Sequence, residues 1–143
     1  MKRTIVTLLS LMCFVAATAD DIAISKEQLP KNAQHFLHTH FNKHKVIAAS
    51  QDRELFNSDY TAHLDDGTKI EFNSNGDWEY IAHRGGNIPQ EVIPAKILDF
   101  VKQHFPTSTI VKIERERSGY KVELLGDIEL KFDSALNCID IDR

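Results

Sequence analysis

The sequence predicts an α+β protein, organised as a tandem repeat of one helix plus a four-stranded antiparallel sheet, and two observations predict it. The first is an internal echo. Leu29-Pro30, Ala33, Phe36, Leu37, His40 and Phe41 return at one constant spacing as Ile93-Pro94, Ile97, Phe100, Val101, His104 and Phe105. The second is a change of period after each of these stretches. Apolar residues at i, i+3, i+4 and i+7 give way to alternation, with Tyr60, Ala62 and Leu64 in one segment and Tyr120, Val122 and Leu124 in the other.

The elements follow in chain order. Met1-Lys2-Arg3 precedes an uncharged, mostly apolar run from Thr4 to Ala17 and then Ala17-Thr18-Ala19, the pattern of a secretory signal peptide cut after Ala19. Its apolar run is too short to span a bilayer comfortably, so no transmembrane segment is expected after cleavage. Removing residues 1–19 takes away Lys2, Arg3 and Cys13 and no acidic residue, which leaves a more acidic chain with Cys138 as its one thiol and no intramolecular disulfide to form. An N-terminal extension, 20–28, leads to the first repeat, 29–82. A linker containing Arg84-Gly85-Gly86-Asn87 and Pro89 fills 83–92, and the second repeat occupies 93–143.

Within each repeat a proline, Pro30 or Pro94, sits where the first turn of a helix tolerates it, and Pro106 ends the second helix. Val46–Ala49 and Ile110–Ile113 begin the strands, while Trp78–Ala82 and Cys138–Ile141 end them. Asp65-Asp66-Gly67, Asn73-Ser74-Asn75-Gly76 and Ser118-Gly119 supply residues that accept positive φ in tight hairpins. One helix covers one face of a sheet, so the other face is expected to be open to water or to a partner.

The order Leu29-Pro30, His40-Phe41, Tyr60, Ala62, Leu64, Asp66-Gly67, Ile70, Phe72, Gly76 and Trp78 resembles the PepSY-like family of small exported bacterial proteins. Ile93-Pro94, His104-Phe105, Tyr120, Val122, Leu124, Leu130 and Phe132-Asp133 echo it, with Leu136 in place of the glycine and Cys138 in place of the tryptophan. The resemblance implies a fold similar to the secreted β-lactamase-inhibitor protein, in which an open sheet face and its loops bind a protein. It implies location in the periplasm or outside the cell and a role in restraining an enzyme, and it carries no particular partner with it.

Strand alternation gives two facings for the last strand of the first repeat. In one, Trp78, Tyr80 and Ala82 project outward beside Thr61, His63, Lys69 and Glu71, and Trp78, Tyr80, His63, Lys69 and Glu71 form a protein-binding surface. In the other, Trp78 and Tyr80 face the helix and Glu79 points out. Histidines offer a different function, a metal or haem carrier. His35, His38, His40 and His44 crowd one segment, and His40 and His44 have the i, i+4 spacing that sets two imidazoles on one helical face. His35 and His38 fall on the far side, so the four cannot converge.

Other chemistry has no motif. There is no Gly-x-Ser-x-Gly, phosphate loop, dinucleotide fingerprint or His-Glu-x-x-His, so no nucleophile and no cofactor is expected. With 17 Lys and Arg against 21 Asp and Glu, the basic footprint of a nucleic-acid binder is missing. The expectation is a non-enzymatic module whose partner is another exported protein or peptide.

Overall fold

The computed structural model describes residues 21–53 and 58–143. The signal peptide expected at 1–19 lies outside the described residues. Strand β1 (Asp21–Ile24) and a single 3-10 turn precede helix α1 (Lys31–His40), which is followed by β2 (Val46–Arg53), β3 (Ser58–Leu64), β4 (Lys69–Phe72) and β5 (Trp78–Ala82). A second 3-10 turn (Gln90–Val92) leads into helix α2 (Ala95–His104), then β6 (Ile110–Glu116), β7 (Gly119–Leu124), β8 (Ile128–Asp133) and β9 (Cys138–Asp142).

The helices form where the apolar spacing places them. Ala33 and Leu37 on α1, and Ile97 and Val101 on α2, are buried as one stripe on each helix. Each helix begins directly after its proline and closes on a phenylalanine, where the Phe41 N–H donates to Leu37 O at 2.9 Å and the Phe105 N–H to Val101 O at 2.8 Å.

The predicted tandem repeat of one helix plus a four-stranded antiparallel sheet is not what forms. Among the described residues the strands build a single nine-stranded antiparallel sheet in which spatial order equals chain order, with only two short helices. Two features join the strands on either side of α2 into one sheet. Strand β5 pairs with β6 through Tyr80↔Glu114, Ile81↔Ile113 and Ala82↔Lys112, so the backbone groups that would edge a separate sheet are satisfied by the next strand. Ile81 and Ile113, both fully buried, then meet in one core that runs without a break from Leu29 to Phe132. Strand β1, read as part of an extension, adds a ninth strand through Ile24↔Ala49.

All the fully buried strand residues lie on one face: Ala62, Leu64, Ile70, Phe72, Ile81, Ile113, Val122, Leu124 and Leu130. Both helices pack there. Phe36 meets Phe72 edge to face at 5.9 Å between ring centroids, and Phe100 meets Phe132 in the same way at 5.4 Å. No helix among the described residues is long and apolar enough to cross a membrane.

Candidate functional site

The face opposite the helices carries the side chains that alternate with the core: Thr61, His63, Lys69, Glu71, Tyr80, Ala82, Lys112, Glu114, Lys121, Glu123, Glu129 and Lys131. Register sets them in rows. His63 stands opposite Lys69 and Lys69 opposite Ala82, while Thr61, Glu71, Tyr80 and Glu114 form the neighbouring row. Charges of both signs are interspersed. Lys69 pairs with Glu71, Lys112 with Glu123, and Lys131 with Asp140. Like charges stand directly opposite each other at Lys121↔Lys131 and Glu123↔Glu129, and the diagonal Lys121–Glu129 contact at 3.3 Å relieves both. The hydrogen bond with Glu123 raises the pKa of Lys112, so the lysine stays protonated through neutral pH. Tyr80 is the one aromatic side chain on this face among the described residues, with Lys69 Nζ 5.4 Å from its ring centroid.

Trp78 is on the other side. Both facings read from the sequence assumed unbroken alternation, but the β4–β5 register shifts so that Phe72 pairs with Trp78 and Glu71 with Tyr80, leaving Glu79 as the extra residue of a bulge. Trp78 therefore turns toward α1 and Tyr80 away from it. The indole is 5% exposed, with the Phe36 ring at 6.3 Å and the Arg115 guanidinium 3.9 Å from its own centroid. These residues border an open groove of about 460 Å³ along α1, which His35, Thr39 and His40 also line. Of the five residues predicted as a surface, His63, Lys69, Glu71 and Tyr80 share the open face and Trp78 does not.

The two histidines of the metal alternative have different partners. Helix α1 ends at His40, whose ring packs on Phe36 at 4.9 Å and whose Nδ1 faces Glu91 Oε1 at 3.5 Å. His44 lies beyond the helix, with Nδ1 3.1 Å from Asp65 Oδ1 and Nε2 3.5 Å from Asp66 Oδ2. The sequence reading took Asp65-Asp66-Gly67 only as a turn and passed over its approach to His44. It also passed over His83, which is 9% exposed. His83 Nδ1 accepts the N–H groups of Gly85 and Asn87, so in the neutral ring the proton sits on Nε2, which donates to Asp66 O at 3.0 Å. That arrangement ties the β5 exit to the β3–β4 turn and is structural. Cys138 is half-buried, and burial pushes its thiol pKa up, away from the thiolate that nucleophilic chemistry requires.

Comparison with known proteins adds the following. A family model described as "Putative beta-lactamase-inhibitor-like, PepSY-like" matches residues 58–140. Among solved structures, the chain is similar to one described as a "putative calcium-regulated periplasmic protein" from Bacteroides thetaiotaomicron. The identity is 36% and the TM-score 0.82, covering 86% of this chain and 97% of that one. It is similar to a "putative periplasmic protein" from Bacteroides vulgatus with 36% identity, TM-score 0.82 and coverage of 87% and 98%. A further Bacteroides vulgatus structure, described as a "putative periplasmic protein of unknown function", matches with 30% identity, TM-score 0.81 and coverage of 87% and 100%. No curated protein matches the chain.

Proposed function

The chain belongs to the PepSY-like family, and from that premise we propose that it is a periplasmic, non-enzymatic module that binds another exported protein or peptide through its open sheet face. The signal peptide read at 1–19, cut near Ala19, delivers it there. The observation that carries the reading is the asymmetry of the sheet: one face is sealed by both helices, and the other presents rows of paired charges around a lone tyrosine. Such a face suits recognition of a protein. Interspersed charges select a partner of complementary pattern and speed its approach, and a half-buried tyrosine supplies an anchor that loses little entropy on contact. A partner held in this way is restrained without chemistry, which fits the inhibitor-like description of the family.

The test compares wild-type protein, Tyr80→Ala with Lys69→Ala, and Trp78→Phe as immobilised baits for periplasmic extract. The reading predicts that a partner retained by wild type and by Trp78→Phe is lost from the outer-face double variant. Equal recovery on all three overturns it.

A further inference from the structure

His44, Asp65 and Asp66 each bring one ligand atom into a cluster whose members lie within 4.8 Å of one another. We infer that this cluster, at the junction of the α1 exit and the β3–β4 turn, is a binding site for a borderline divalent transition ion such as Zn²⁺, held by one imidazole nitrogen and two carboxylates. Its geometry is close to what such an ion needs. Ligand bonds of about 2.1 Å place neighbouring tetrahedral ligands about 3.4 Å apart; His44 Nδ1 already stands 3.1 Å from Asp65 Oδ1, and Asp66 Oδ2, which faces the ring's other nitrogen at 3.5 Å, joins the same ion once the exposed imidazole tilts, from a starting spread within 4.8 Å.

The groups are held in place before any ion arrives. The Asp65 N–H donates to Lys45 O at 2.9 Å, the His44 N–H to Phe41 O at 3.0 Å, and the Gly67 N–H to Leu64 O at 3.1 Å, so both ligand-bearing segments are anchored through their backbones. Asp66 is oriented further. Its Oδ1 accepts the Thr68 N–H at 3.0 Å, its carbonyl accepts from His83, and Oδ2 is left toward His44. This is the outer-shell support that positions metal ligands.

A second observation points to a ligand independently. Thr68 is fully buried, and its hydroxyl lies next to the Asp66 carboxyl yet has no partner in hydrogen-bonding geometry among the described residues. A buried hydroxyl left in this state carries an uncompensated desolvation penalty. An ion that draws the carboxylate into a fixed orientation, or the water that completes its coordination, gives that hydroxyl something to bond. The donor set also decides the class of ion. One imidazole and two carboxylates suit Zn²⁺ and its neighbours, whereas Ca²⁺ takes six to eight oxygen ligands.

The experiment is calorimetric titration of ZnCl₂ into protein expressed from the full chain and purified from the periplasm. Wild type is compared with His44→Ala, the near-isosteric Asp65→Asn, and His38→Ala, which removes an exposed histidine of α1. The expected result is one equivalent of Zn²⁺ per chain, affinity at least tenfold weaker in both cluster variants and unchanged in His38→Ala, and no displacement by equimolar Ca²⁺. Circular dichroism of Asp65→Asn checks that its loss is not one of folding. Absence of a one-equivalent site in wild type, equal affinity in all four proteins, or displacement by equimolar Ca²⁺ overturns the proposal.

Discussion

Asn73 and Asp133 hold their turns with the same bonds. Asn73 Oδ1 accepts the Asn75 and Asp77 N–H groups, and Asp133 Oδ1 accepts those of Ala135 and Asn137, at 2.8–3.0 Å. The difference is charge. The Asn137 amide and side chain, followed by the Ala135 amide and Lys96, hold the Asp133 carboxyl below its ordinary value of 3.8. A carboxyl whose pKa is depressed by folding contributes stability that is present above pH 3.8 and lost as the pH falls through its lower folded value. Asp133→Asn keeps the acceptor that Asn73 already uses but loses the charge that Asn137 and Lys96 favour, so its melting temperature should lie below that of wild type near pH 7. It should then fall less than wild type does between pH 5 and 2, which thermal melts over that range will check. Gly76 is a steric requirement of another kind. It has φ +84°, and a Cβ there would stand 2.8 Å from Ala33 N and from Pro30 Cβ, against the first turn of α1. Gly76→Ala should therefore destabilise the protein by about 1–3 kcal/mol, read from urea unfolding.

Among the elements, strand β5 shows how a local irregularity divides roles that the residue pattern leaves together. The bulge at Glu79 sends Trp78 into the core between Phe36 and Arg115 and Tyr80 onto the open face. Trp78→Ala should cost about 3–5 kcal/mol, as loss of a buried aromatic does, while Tyr80→Ala should cost less than about 1 kcal/mol and act on binding instead. Denaturant midpoints of the two variants separate these effects. The same strand marks what the sequence could and could not reveal. Spacing such as Ala33, Phe36, Leu37 and Ile97, Phe100, Val101 is a local property, so both helices were legible. So was the outward set Thr61, His63, Lys69 and Glu71, because the β3–β4 register is regular. A bulge adds one residue without any change of composition, so the facing of Trp78 was not legible. The approach of His44 to Asp65 and Asp66 was hidden for a different reason, since it depends on where the α1 exit lies against a turn about twenty residues later.

At the scale of the whole molecule, the sheet is one object. The β5–β6 ladder and the Ile81–Ile113 contact bind the strands on either side into a single core, whereas two separate sheets would have presented two additional edges. Unfolding should accordingly be a single transition with coincident loss of near- and far-UV circular dichroism. Ile113→Ala, at the junction, should shift that transition as a whole by about 2–5 kcal/mol and should not create a second one. The single core also fixes the orientation of everything that alternates with it. Because both helices lie on one side, the charged rows from Thr61 to Lys131 form one continuous open surface, and the proposed binding falls on that surface.

Site-specific photo-crosslinking in the periplasm tests this assignment most directly, with the crosslinking side chain placed at position 71, 80 or 123 on the open face and at position 35 or 103 on the helices. The account predicts a discrete protein adduct from the open-face positions and none from the helix positions. Adducts from the helix positions alone, or from no position, would contradict it.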